Sequence, residues 1–200
     1  MRDLKNEQQT VAQILGEVRV PPAMRTAGIV LGGTLLAAVC AHIVLPLYFT
    51  PVPLTLQPLA VLLLGLLLSP RLAGATMAAY LAEGAIGLPV FAPGTAAFGG
   101  LAHLFGPTGG YLLAYPVAAA LISYIWRRTG RGFTPALLAA AAGDLLILAC
   151  GALWLAAWTH ASAPSALFMA VLPFLPGDTL KVAAAAGIAL GFVRVRRGAA

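Results

Sequence analysis

Charge is what this sequence lacks. Of its 200 residues, 12 are Lys or Arg and 6 are Asp or Glu, 9% in all. A soluble domain carries about 25%, so an ordinary water-soluble domain is excluded. A hydrophobic content of 60% excludes a disordered chain as well. The few charges are also unevenly spread. None falls between Arg25 and Arg71, between Glu83 and Arg127, or between Asp144 and Asp178. Uncharged stretches of this length read as membrane-embedded chain. The net charge of +6 then reads as the basic loop ends of a membrane protein rather than as a nucleic-acid surface.

Other absences narrow the function. There is no G-x-x-x-x-G-K-[ST], so the chain cannot power transport with a P-loop of its own. Ser69, Ser123, Ser162 and Ser165 lack a G-x-S-x-G context, and no H-E-x-x-H occurs, which disfavours an intramembrane enzyme. His42, His103 and His160 are scattered and form no cluster with metal spacing, so neither a metal nor a cofactor is expected. Cys40 and Cys150 both sit in apolar segments and read as small buried residues. Residues 1–25 carry Arg2, Asp3, Lys5, Glu7, Glu17, Arg19 and Arg25 without the apolar run of a signal peptide. They read as a cytoplasmic tail.

What is there is an all-α membrane protein. The chain divides into six candidate spans, roughly 26–46, 57–69, 71–88, 109–126, 135–158 and 171–193. Pro46, Pro51 and Pro53 break the first apolar run, Ser69-Pro70-Arg71 marks a tight turn, and prolines and glycines crowd 87–110. Basic residues occur in the tail, at Arg71, at Arg127, Arg128 and Arg131, and at Arg194, Arg196 and Arg197, whereas the intervening connections hold none. The positive-inside rule then places both termini in the cytoplasm. The expected organisation is a tail at 1–25, a transmembrane binding domain at 26–193 and a short tail at 194–200.

Residues 57–69 would span only about 20 Å of a hydrocarbon core about 30 Å thick. The proline-rich segment before them must fill the rest. Non-helical backbone at membrane depth is tolerated where it lines a cavity, which argues for an outward-facing cup. At about 1.5 Å per residue from the basic boundary, Glu83 lies about 18 Å up, Gln57 and Lys181 about 20 Å, and Asp178 about 24 Å. These groups come from different spans and meet in one layer. Asp144, at about 14 Å, falls below it and reads as structural.

Intramembrane ionisable groups usually face a cavity or each other. Asp178 and Lys181 stand at i and i+3 on one helix face. They read as ligand contacts, or else as an N-cap with a paired or snorkelling base. A carboxylate accepts N–H donors and an ammonium meets a carbonyl or carboxylate, so the pair suits a small molecule carrying both kinds of group. Thr55 and Gln57 sit at the cup rim. Glu83 either faces the cup, pairs with Lys181 or lies protonated between helices. The long connection at 87–111 reads as a lid with Phe91 or Tyr111 stacking on a ligand, or as simple turn chemistry. Gly33, Ala37 and Ala41 form a stripe that admits a close helix, either internal or from another subunit.

Four segments carry a resemblance, in order along the chain. They are Thr50-Pro51-Val52-Pro53-Leu54-Thr55-Leu56-Gln57, Gly87-Leu88-Pro89-Val90-Phe91, Gly106-Pro107-Thr108-Gly109-Gly110-Tyr111, and Pro173-Phe174-Leu175-Pro176-Gly177-Asp178 with Lys181. Together they resemble the BioY family, the biotin-specific S components of energy-coupling-factor (ECF) transporters. The resemblance implies a six-helix protein of the bacterial inner membrane that binds biotin from outside. It implies a transmembrane coupling protein and a pair of ATPases as partners, with Gly33, Ala37 and Ala41 similar to the surface that docks on the coupling protein. It implies that Asp178 and Lys181 contact biotin. The chain has no Asn beyond Asn6 and no Arg between 72 and 126, which leaves open what holds the biotin carboxylate. A solitary biotin transporter and an S component for another vitamin are the alternatives.

Overall fold

The structure, a computed structural model, describes residues 21–93 and 100–198, the last of these by backbone alone from 196. The proposed tail at 1–25 therefore lies almost wholly outside the described residues, as does the middle of the 87–111 connection. The fold is built of helices. α1 runs Pro22–His42, followed by two short strands, β1 at Val44–Leu45 and β2 at Leu54–Thr55. Then come α2 at Gln57–Leu67, α3 at Pro70–Ala85, a single turn α4 at Leu101–Leu104, α5 at Gly109–Arg128 and α6 at Phe133–Thr159. The chain ends with α7 at Ala163–Ala170 and α8 at Leu175–Gly198.

Local chemistry explains the boundaries. α1, α2, α3 and α7 each carry a proline in the first turn, where its missing N–H costs nothing. α6 ends at His160 in the left-handed conformation (φ 53°). Pro116 lies inside α5, and such a proline is tolerated where neighbouring helices support the freed backbone.

α1, α5 and α6 are long and apolar enough to cross a bilayer, and α7 with α8 adds a fourth crossing if that pair, bent by 52°, counts as one. The second and third expected spans are shorter: α2 has 11 residues and α3 has 16, about 16 and 24 Å of helix. The first expected span also stops early. Its last residues leave the helix at Ile43 and pair with the proline-rich segment, Val44 opposite Thr55 and Leu45 opposite Leu54. The proline-rich segment before α2 thus supplies the tip and second strand of a small hairpin.

α5 packs against α2, α3 and α6, and α8 packs against α2 and α6. Leu62, Ile122, Ala136, Ala140 and Ala186 fill one end of the core, and Val61, Met77, Tyr80, Ala118 and Leu155 the other. At the arginine-bearing end, Ser123 Oγ donates to Leu68 O (2.6 Å) and Arg127 Nε donates to Ser123 Oγ (3.2 Å). This ties the end of α2 to α5. Large apolar side chains remain on the outside, among them Leu31, Leu35, Val117, Leu145, Leu153 and Ile188. An aqueous surface rarely shows so much, whereas a lipid-facing one is expected to.

The small-residue stripe of α1 is corrected by the packing. Gly33, Ala37 and Ala41 are buried, Ala37 and Ala41 completely. A Cβ on Gly33 would stand 2.5 Å from Thr76 Cγ2 of α3 and 3.2 Å from Leu64 Cδ2 of α2. The close approach is made by the chain's own helices, so the stripe is not available for partner docking. Gly33→Leu is therefore expected to destabilise the fold itself by about 1–3 kcal/mol through overpacking. Thermal unfolding in detergent measures this; an unchanged melting temperature would return the stripe to a docking role.

Candidate ligand-binding site

Several helix ends and the hairpin converge on one cavity. About 560 Å³ within it is free of protein atoms, its open mouth included. Val52, Pro53 and Thr55 of the hairpin form one wall, with Gln57 at the start of α2 beside them. Thr108, Tyr111, Leu112 and Tyr115 come from the start of α5, and Asp144, Ile147 and Leu148 from the middle of α6. Ala92 and His103 come from the 86–108 connection, and Phe174, Asp178 and Lys181 from the start of α8.

The bend before α8 sets the polar pair. Pro173 stands in the break, and α8 restarts with Asp178 N–H donating to Phe174 O (2.8 Å). Asp178 thus lies in the first turn, where a carboxylate complements the helix dipole. Lys181, one turn on, donates from Nζ to Asp178 Oδ1 at 2.8 Å. Both residues are about 95% buried (4% and 5% exposed). Pairing is what makes two such charges tolerable away from water. Paired as they are, they place a carboxylate and an ammonium side by side on the cavity wall.

The uncharged wall is braced by hydrogen bonds. Gln57 Nε2 donates to Tyr80 Oη (2.9 Å), and Tyr80 Oη donates to Val90 O (2.7 Å). Three segments, α2, α3 and the chain after α3, are joined through one buried tyrosine. Tyr111 Oη donates to Ala170 O (2.7 Å), and its ring lies 6.2 Å from that of Phe174. Its phenol is thereby committed to the α7–α8 elbow, and its ring to the cavity wall. The ring lies over Gly151, where no Cβ would fit. Trp154 Nε1 donates to Gly106 O (2.8 Å) and fastens the entry to α5 onto α6.

Two buried side-chain atoms among the described residues have no hydrogen-bond partner: Asp144 Oδ1 and Thr108 Oγ1. Both residues line this cavity. Buried polar atoms are nearly always paired in native structures, so these two are open to a polar partner within the cavity.

Of the residues expected at the site, Asp178, Lys181, Gln57, Thr55 and Tyr111 line the cavity. Phe91 and Glu83 do not. Phe91 packs behind the wall, edge-on to Tyr80 (5.5 Å), 4.9 Å from the His103 ring and over Gly84. Glu83 is half-buried, beside the face of α3 formed by Ala73, Thr76, Met77, Tyr80 and Gly84. Asp144, read as structural, is on the wall. Its signal was its spacing: it stands three and four residues before Ile147 and Leu148, on the same helix face. Tyr115 was also missed, four residues after Tyr111 in α5.

The model of the BioY family matches residues 9–198. The chain belongs to the BioY family. A relative from Pyrococcus horikoshii, named "Probable biotin transporter BioY", is 41% identical over 139 residues, 70% of this chain and 79% of that one. A biotin transporter BioY2 from Lactococcus lactis subsp. cremoris is 37% identical over 162 residues, 81% of this chain and 86% of its own. Among solved structures, the S component for biotin from an ECF-type ABC transporter superposes with a TM-score of 0.78 at 28% identity. That match covers 88% of this chain and 92% of that one. As a BioY chain with apolar helices, the protein is a multi-pass membrane protein of a transporter family, not an enzyme by descent.

Proposed function

We propose that this chain is the biotin-capturing membrane subunit, the S component, of an ECF-type transporter. The observation that carries the reading is the buried Asp178–Lys181 pair on the wall of a cavity whose apolar lining comes from tyrosines, Phe174 and aliphatic side chains. Biotin's ring urea carries adjacent N–H and C=O groups. An adjacent carboxylate and ammonium match them: Asp178 accepts the N–H and Lys181 donates to the carbonyl. The 2.8 Å spacing of the pair favours two groups of one urea over a urea and the distant valerate carboxylate. The thioether ring and aliphatic chain suit Tyr111, Leu112, Tyr115, Ile147 and Phe174. The names of the relatives and of the solved S component support the same ligand.

The finer topology belongs to this reading. The chain crosses the bacterial inner membrane six times, with the two short helices rising from the cytoplasmic side and the hairpin before α2 filling the outer part of the barrier. Arg71, Arg127, Arg128, Arg131 and Arg194 gather where α3 and α6 begin and α5 and α8 end. The basic ends face the cytoplasm with both termini, and the cavity opens outward. The tail at 1–25, the binding domain at 26–193 and the end at 194–200 keep the roles the sequence suggests, although α8 continues through that last boundary. With no P-loop in the chain, ATP hydrolysis falls to partner ATPases, joined through a transmembrane coupling protein.

Uptake of labelled biotin by cells expressing the chain, with and without a coupling protein and ATPase pair, tests this function. Accumulation above background that depends on the partners is expected. Equal accumulation without them would make the chain a solitary transporter, and no accumulation in either case would overturn the reading.

A further inference from the structure

The Asp178–Lys181 pair accounts for one carboxylate and one ammonium on the cavity wall, but the wall holds a second carboxylate. Asp144 is 7% exposed, and its Oδ1 has no partner. Lys181, whose Nζ is 2.8 Å from Asp178 Oδ1, is the only lysine or arginine on the cavity wall among the described residues. An unpaired buried polar group is costly, and more so when charged. Asp144 shares its face with Ile147 and Leu148, and an aliphatic residue would continue that face. A costly group at an apolar position, aimed at a ligand cavity, points to a donor that arrives with the ligand.

We propose that Asp144 is a second carboxylate contact of the ligand, accepting the ring-urea N–H that Asp178 leaves free. The proposal rests on the biotin reading. A cyclic urea presents donor, acceptor, donor across its N–H, C=O and N–H groups. Asp178, Lys181 and Asp144 present the complementary acceptor, donor, acceptor. Thr108, whose hydroxyl is also buried and unpartnered, lies on the same wall and supplies a neutral polar contact. The arrangement also orients the ligand. Two carboxylates at the urea end favour a valerate carboxylate that points away from them.

The test uses the purified full chain in detergent, Asp144→Leu and Asp144→Asn variants, and biotin methylated at one or the other ureido nitrogen. Asp144→Leu is expected to raise the melting temperature of the ligand-free protein, because it removes an unsatisfied polar group. It is expected to weaken biotin binding about ten- to a hundredfold, as for the loss of one charge-assisted hydrogen bond. Asp144→Asn, which keeps a carbonyl oxygen, recovers part of the loss. In the unsubstituted chain, methylation at either nitrogen weakens binding; in Asp144→Leu, one of the two methylations ceases to matter.

Unsubstituted protein that binds biotin but tolerates methylation at one nitrogen within about twofold would overturn the assignment without touching the biotin reading. That measurement needs no variant to fold. Asp144→Leu protein that melts lower and binds biotin unchanged would make Asp144 a structural partner of Lys181 instead. Failure of the unsubstituted chain to bind biotin at all would overturn both readings together.

Discussion

Lys181→Met is expected to weaken biotin binding by about two orders of magnitude and to destabilise the ligand-free protein. Binding loses the donor to the urea carbonyl, about 1.5–3 kcal/mol for a bond to a charged group, and Asp178 loses the neighbour that holds it in place. Stability falls because the Asp178 carboxylate, 4% exposed, is left buried without its counter-ion. Removing one partner of a buried ion pair costs about 3–5 kcal/mol. The double variant Asp178→Asn with Lys181→Met separates the two effects. Replacing both charges by neutral groups is often close to neutral for stability, so the melting temperature should largely recover while biotin binding stays lost. Detergent melting curves and equilibrium titration of labelled biotin read the two quantities. Recovery of binding in the double variant would mean that the pair serves only the fold.

Gly110→Ala is expected to reduce the yield of folded protein sharply and to lower its melting temperature. Gly110 lies in the first turn of α5, pressed on α6. A Cβ there would stand 2.6 Å from Cys150 O and collide with Trp154 Cβ. The first obstacle is backbone, which cannot rotate away, and Trp154 is held by its bond to Gly106 O. Overpacking of this kind costs about 1–3 kcal/mol where neighbours can adjust, and here they cannot. Relief requires α5 and α6 to part. Those two helices carry Thr108, Tyr111 and Tyr115 on one side of the cavity and Asp144, Ile147 and Leu148 on the other. Binding should therefore fall together with stability. Size-exclusion profiles and melting curves measure the first effect. A Gly110→Ala protein as stable as the parent would show that the helices are not packed as closely as described.

The parts of the site that could be read from the sequence were those in which residue type alone is informative. A charge in an otherwise uncharged apolar chain is conspicuous, so Asp178 and Lys181 announced themselves, and their i, i+3 spacing gave a shared face. Height along a helix could be counted as well. What counting cannot supply is direction around the axis. Asp144 was set aside for its depth, yet it faces the cavity because Ile147 and Leu148 do. Glu83 lay in the right layer, yet it sits beside the buried face of α3.

Phe91 illustrates a different limit. It lies in irregular chain, where no periodicity fixes the side-chain direction, and its ring turned back onto Tyr80 and Gly84. The Gly33, Ala37 and Ala41 stripe correctly announced a close helix, but small residues do not say whose helix comes close. The hairpin was hidden for a related reason. Val44 and Leu45 are as apolar as the helix before them, and only pairing with Leu54 and Thr55 reveals that the first helix has already ended.

The central claim is that this cavity binds biotin. Equilibrium titration of labelled biotin against the purified chain in detergent, with unlabelled biotin as competitor, tests it most directly. The account predicts saturable one-to-one binding that is displaced by biotin and is lost with Lys181→Met. Absence of saturable binding at micromolar biotin, from protein that is monodisperse and folded, would contradict it.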